Sequence, residues 1–268
     1  MKPKGGRARK PLVPPPLTSL RAARLITSEF HNLSAQLADA NAASECRTAA
    51  RLARELEARR AQYQEASVLA TQTARTSKYV TATLTRRRLR PASGQPPLRL
   101  LEVGAVNLQL ISTPWLAVRA LDLRSVHPRI EQADALALER PAVAFDVVVC
   151  AMVLNCVPAP LQRGAMLHVL RQQLRPGGLA FVMVPLRCLT SSPFMSRQRF
   201  VAALAAAGLA VEESKDSPKV AFFCCQAIAE PGEAALGRAA KYFPDPPPRL
   251  SGQTGSNTFS IAFARQHA

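Results

Sequence analysis

Acidic residues are scarce in this chain. Eighteen Asp and Glu stand against 35 Lys and Arg in 268 residues, a formal charge of +17. That balance disfavours a cationic partner and favours a polyanion. Long apolar runs are also missing: none reaches about 18 residues, so no transmembrane helix is expected. The opening stretch "MKPKGGRARKPLVPPP" is basic but has no apolar core, so a secretory signal is not expected. The six cysteines include no CxxC pair, and several sit inside apolar runs. That pattern suits buried thiols in a reducing compartment rather than a disulfide framework, and no metal site is expected. Glycine is sparse where a nucleotide loop would need it. "LLEVGAVN" (100–107) supplies Gly104 and no second or third glycine, and no GxxxxGK[ST] occurs. A phosphate cradle of the ATP type is excluded, and a dinucleotide loop is disfavoured.

The basic charge that is present is uneven. Residues 1–99 hold 19 Lys and Arg against 6 Asp and Glu, and residues 100–268 hold 16 against 12. Residues 1–17 read as a disordered basic, proline-rich tail, too polar to offset the entropy of ordering. Residues 18–92 read as a basic helical module. Ile26, Phe30, Leu33 and Leu37 fall on one helical face, and a second segment over about 44–70 offers Leu52, Leu56, Tyr63 and a Glu55–Arg59 pair. "TRRRLRPASGQPP" (85–97) reads as a linker with an arginine cluster.

From residue 93 to 268 strands alternate with helices, the pattern of an α/β Rossmann-like domain with an open parallel sheet and helices on both faces. The expected strands are "LRLLEVGAV", "VRALDLR", "FDVVVCAMVL", "LAFVMVPL", "VAFFCCQAI" and "NTFSIAFA". Helices are expected over 160–174 and 196–208. Ligands of such sheets bind at the C-terminal strand ends. Gly104 follows the first strand, where a missing Cβ admits a ligand to the backbone. Asp122 ends the second strand, 18 residues on, where a carboxylate suits the ribose hydroxyls of an adenosine. Glu102 precedes the glycine, and Asp134 lies near the end of the next short strand, placed for an adenine amino group. Each feature alone also serves as a turn or a helix cap. In this order they point to an adenosine-type cofactor without a pyrophosphate, which is S-adenosyl-L-methionine. With "LRPGG" before the following strand, the set resembles class I methyltransferases.

A narrower resemblance is carried by "LLEVGAVN", "ALDLRSVHPRIEQADAL", "FDVVVCAMVLNCVP", "LRPGGLAFVMVPLRCLTSSPF" and "NTFSIAFA". Over roughly residues 18–265 the chain is similar to the fungal nucleolar 25S rRNA adenine-N1 methyltransferase family, which has an animal relative that senses S-adenosylmethionine. The resemblance implies a methyl transfer to adenine N1 in large-subunit rRNA or a pre-ribosome, in the nucleolus of the nucleus. It implies cofactor-binding roles for Gly104 and Asp122. One segment departs from the family: "YQEAS" (63–67) is intact, but the glycine-rich continuation is replaced by "VLATQTARTSKYV". The alternative reading is a catalytically silent sensor that binds the cofactor and acts through protein partners.

Adenine N1 carries a lone pair and no proton, so its methylation needs no general base, and none stands out. The target must be unpaired or flipped to expose its Watson–Crick edge. Asn155 suits that edge and equally suits a strand-to-helix cap. Cys150 and Cys156 lack the Pro-Cys context of a covalent cytosine enzyme and read as buried thiols. His127 and His168 read as surface groups. Trp115 and Tyr63 are stacking candidates, with core packing the default. The clusters Arg86, Arg87, Arg88, Arg90 and Lys2, Lys4, Arg7, Arg9, Lys10 suit an RNA backbone.

Overall fold

The computed structural model describes residues 19–72, 76–125, 127–252, 255 and 257–264. The tail expected over 1–17 lies outside them. Helix α1 (Leu20–Ala42) begins where the Ser19 hydroxyl accepts the Ala22 N–H at 3.3 Å. A short turn, with Ser44 at φ 58°, leads into α2 (Cys46–Gln72). Phe30 is buried, while Leu33 and Leu37 pack on Ala40, Ala49 and Leu52. The expected apolar face of α1 is therefore the seam between the two helices. Tyr63 stacks on Phe30 at 4.1 Å between ring centroids, a packing role.

The rest of the chain forms a second compact unit around one sheet. Its strands are β1 (Leu98–Val103), β2 (Leu116–Asp122), β3 (Glu131–Gln132), β4 (Phe145–Ala151), β5 (Leu174–Pro185), β6 (Leu209–Asp216) and β7 (Val220–Ala227). Their order is β3-β2-β1-β4-β5-β7-β6. Pairings from β3 through β5 are parallel, and β7 runs antiparallel to both β5 and β6. The sheet is thus mixed, not wholly parallel as expected. The β6–β7 link is only a few residues, too short for the crossover a parallel pair requires.

Alternate residues along each strand face opposite sides. On one side Leu101, Val103, Val148, Cys150, Val182 and Phe223 pack with residues of helices α4 (Pro160–Gln173) and α6 (Arg197–Ala206). On the other, Leu100, Val147, Val149, Phe181 and Phe222 meet Tyr79, Val80 and Leu84 of α3 (Thr76–Arg86). Tyr79 sits edge-on to Phe181 and Phe222, 5.8 and 5.0 Å between centroids. A helical module spanning 18–92 groups α3 with α1 and α2. The buried face of α3 belongs to the sheet's core, and the two compact units divide between α2 and α3. Short helix α5 (Arg187–Thr190) and α7 (Glu233–Tyr242) complete the layer around α6.

"NTFSIAFA" is not a strand. Its Phe259, Ile261 and Phe263 are buried, but its backbone is satisfied by other groups. The Ala262 N–H donates to Pro160 O and the Phe263 N–H to Phe243 O, both at 3.0 Å. The Ser192 hydroxyl donates to Phe259 O at 2.6 Å, and Arg163 Nη1 to Ser260 O at 2.9 Å. The segment lies against the start of α4, where a Cβ on Gly164 would fall 2.0 Å from Ala262 O.

That contact leaves no room for a side chain against a backbone carbonyl. Gly164→Ala is therefore expected to destabilise the chain by about 1–3 kcal/mol, the usual range for overpacking. Urea unfolding midpoints measure this; an unchanged midpoint contradicts the packing described.

Candidate functional site

Parallel pairing brings the ends of β1, β2, β3 and β4 to one edge. The register pairs Val103 with Leu121 and with Cys150, and Asp122 with Gln132. Gly104 and Asp122 therefore lie side by side at neighbouring strand ends, with Asp134 two residues beyond β3. The four residues expected at a cofactor site, Glu102, Gly104, Asp122 and Asp134, all lie along this edge.

Gly104 adopts φ +75°, and a Cβ there would fall 2.3 Å from Val153 Cγ2. The positive φ favours glycine, and a Cβ would also force the Val153 side chain to shift. The N–H groups of Gly104 and Ala105 both donate to Leu121 O, at 2.8 and 3.0 Å. That tie fixes the loop against the end of β2.

Glu102 is half-buried, and its Oε2 is a buried oxygen with no hydrogen-bond partner. Burial pushes its carboxyl up to about 7. Asp122 accepts the Arg124 N–H through Oδ1 at 2.8 Å. Burial raises its carboxyl above the usual range, against the pull of that N–H and of the Arg124 charge. Asp134 is exposed and caps the 3-10 turn Ala135–Ala137, accepting the Leu136 N–H at 2.9 Å. The capping reading of Asp134 is realised in the structure.

The segment after β4 closes over this edge. Met152 holds φ 63°, and its N–H donates to Met183 O at 2.9 Å. Val153 then sits against Gly104. Asn155 donates through Nδ2 to Cys156 Sγ at 3.3 Å, while its Oδ1 is buried without a partner. Burial raises the Cys150 and Cys156 thiols to about 12, which disqualifies both as nucleophiles at neutral pH.

Arg163 anchors the same segment, a role that sequence reasoning missed. Its guanidinium is buried and donates to Val157 O, Pro158 O and Ser260 O at 2.8, 3.0 and 2.9 Å. No carboxylate is among these partners, and burial lowers its pKa to about 10. Arginine at the start of an apolar helix is the only sequence cue, and it is ordinarily a surface residue.

His127 is exposed, its Nδ1 accepting the Arg129 N–H at 3.1 Å. His168 is not the surface group expected. It is half-buried, edge-on to Phe263 at 5.1 Å, and burial lowers its pKa. No cluster of three or more His, Cys, Asp or Glu suited to a metal occurs among the described residues.

The model of the family described as 25S rRNA (adenine(2142)-N(1))-methyltransferase, Bmt2, matches residues 50–261. The chain belongs to this family. It is 30% identical over 133 residues to the 25S rRNA adenine-N(1) methyltransferase of Schizosaccharomyces pombe, covering 47% of this chain and 49% of that one. It is 34% identical over 80 residues to the 25S rRNA (adenine(2142)-N(1))-methyltransferase of Saccharomyces cerevisiae, covering 30% of this chain and 23% of that one. The matches thus span half or less of these curated relatives. Among solved structures, a Burkholderia thailandensis 1,6-didemethyltoxoflavin-N1-methyltransferase is 16% identical, with a TM-score of 0.48 over 81% of this chain and 94% of that one. The Bradyrhizobium japonicum N-methyltransferase NodS is 15% identical, with a TM-score of 0.42 over 59% and 90%. The sheet order of this chain, with β7 alone reversed between β5 and β6, is that of the class I methyltransferase fold.

The buried Glu102 carboxyl makes stability depend on pH. Its folded value of about 7 exceeds its ordinary 4.5, so its contribution is complete below about pH 4.5 and is lost as pH rises through 7. The whole effect is about 3 kcal/mol, at roughly 1.36 kcal/mol per pH unit. Glu102→Gln is expected to match the wild type near pH 4 and to exceed its stability by about 2–3 kcal/mol near pH 8. Urea titrations at both pH values measure this, and equal stability at the higher pH contradicts a buried, unpartnered carboxylate.

Proposed function

We propose that this chain is an S-adenosyl-L-methionine-dependent methyltransferase that modifies N1 of an adenine in large-subunit 25S rRNA. The observation that carries the reading is the strand-end edge itself. Gly104 without room for a Cβ, two partly buried carboxylates and the orphaned Asn155 carbonyl meet there in a member of the Bmt2 family.

The residues present fit the cofactor. The Glu102 carboxylate, with its buried Oε2 unpartnered, suits the ammonium of the methionyl part. Asp122 suits the ribose hydroxyls, Gly104 gives backbone access, and Asp134 stands at the adenine end of the edge. A cation beside Glu102 favours its ionised form, so cofactor affinity should rise with pH through about 7. When bound, S-adenosyl-L-methionine supplies a methyl group on a positively charged sulfur, activated without any acid from the protein.

The chain's own part is positioning. Adenine N1 has its lone pair available, so no side chain need remove a proton before attack. Asn155 Oδ1 accepts a hydrogen bond from the exocyclic amino group and leaves N1 unobstructed. Arg163 holds the segment that bears Asn155 by two of its carbonyls, Val157 O and Pro158 O, and ties it to Ser260 O, so the acceptor is fixed before the base arrives. Rate enhancement rests on orientation and exclusion of water rather than on acid–base chemistry.

The substrate is rRNA or a pre-ribosomal particle, and the site of action is the nucleolus within the nucleus. The excess of 19 basic over 6 acidic residues in the first 99 supports an RNA partner and a role in ribosome biogenesis.

Incubation of the protein with labelled cofactor and large-subunit rRNA is expected to yield 1-methyladenosine after digestion to nucleosides. Label in no nucleoside, or in another one, contradicts the reading. Asn155→Ala is expected to lower kcat/KM for RNA about 100-fold, roughly 2.7 kcal/mol of barrier, while cofactor affinity stays within about twofold. An equal loss of cofactor affinity places Asn155 at the cofactor rather than at the base.

A further inference from the structure

A basic feature lies away from the strand-end edge. A shallow, open groove runs between the outer face of α3 and the segment before β2. Lys78, Thr81, Thr85, Arg86, Arg90 and Trp115 line it, and among the described residues no acidic side chain does. Lys78, Arg86 and Arg90 are exposed. Arg86 is held from the β6 side by Glu213 at 2.5 Å, which also reaches Arg87 at 3.6 Å. The Arg90 guanidinium lies 5.7 Å from the centroid of the Trp115 ring. Trp115 is the only tryptophan of the chain.

The groove has a direction. At one end the Ser77 hydroxyl donates to Gln109 Oε1 at 2.6 Å, on the loop that follows Gly104. At the other, the Leu98 N–H donates to Trp115 O at 3.1 Å, where β1 begins. Helix α3 between them is about 16 Å long. The groove therefore leads from the N-terminal edge of the sheet toward the edge bearing Gly104.

Its chemistry selects a ligand. The charges suit phosphates. A half-exposed indole with an arginine over it suits an unstacked base, which single-stranded nucleic acid offers and duplex does not. The Thr81 and Thr85 hydroxyls spend their protons on Ser77 O and Thr81 O, at 2.9 and 2.8 Å. What they present outward is lone pairs, which accept from a 2′-hydroxyl. We propose that this groove is a track for single-stranded RNA, which grips the nucleotides flanking the target and feeds the target base to the strand-end edge. The proposal rests on the rRNA reading above and adds where the substrate runs.

The sole tryptophan makes the test direct. The full chain is titrated with a single-stranded RNA oligonucleotide while Trp115 emission and RNA anisotropy are followed together. Emission is expected to quench in step with binding. Lys78→Ala combined with Arg90→Ala is expected to weaken binding about tenfold and to reduce the log–log salt slope by about 1.4, two single-strand phosphate contacts. RNA binding that leaves Trp115 emission unchanged overturns the proposal. So does a double variant with unaltered RNA affinity, or emission that responds to phosphatidylserine vesicles and not to RNA. The two readings fail separately: quenching by RNA in a protein that forms no 1-methyladenosine keeps the groove and removes the methyl transfer. Formation of 1-methyladenosine by the double variant at unchanged KM removes the groove and keeps the methyl transfer.

Discussion

The contact between Gly104 and Val153 is the constraint on which the site depends. The Val153 methyl lies where residue 104 would carry its first side-chain atom. With φ at +75°, only glycine combines this conformation with that approach. Because the approach is made, the segment after β4 lies over the end of β1. Asn155 is thereby brought to the edge that carries Glu102 and Asp122. The double tie of Gly104 and Ala105 to Leu121 O fixes the loop from the other side. One glycine thus sets how closely the segment after β4 approaches the end of β1.

A second constraint is electrostatic. The edge holds Glu102 in surroundings that disfavour its charge, and Asp122 partly so. A chain selected for stability alone gains by replacing such a carboxylate with a neutral group. Buried acceptors without partners are costly in a core, and they suit a place where a cationic or hydrogen-bonding ligand supplies the missing half. Asn155 Oδ1 belongs to the same class. Arg163 shows the opposite solution: a buried charge given three carbonyl partners, hence a structural support rather than a binding group.

Much of this was legible in the sequence because it depends on local pattern. The apolar run 145–151, buried on both faces, reads as a central strand, and Gly104 and Asp122 read as lying at successive strand ends. What was not legible depended on partners distant in sequence. "NTFSIAFA" alternates like a strand, yet its carbonyls and N–H groups go to helix ends and to Arg163. Strand β6, "LAVEESKD", carries its charges at the exposed sheet edge and lacks the apolar signature of a strand. Helix α3 lies in a basic stretch whose charge groups it with the preceding helices, although Tyr79, Val80 and Leu84 pack on the sheet. Asp134 carries a cap that the sequence allowed but could not choose.

The central claim is that this edge directs a methyl group to the Watson–Crick face of one rRNA adenine. A methyl at N1 blocks pairing, so reverse transcriptase stops at the modified base. Mapping such stops along large-subunit rRNA from cells with and without this protein tests the claim most directly. A single adenine stop that disappears with the protein, and returns with the wild-type chain but not with Asn155→Ala, is the result expected. An unchanged stop pattern in cells lacking the protein contradicts the account.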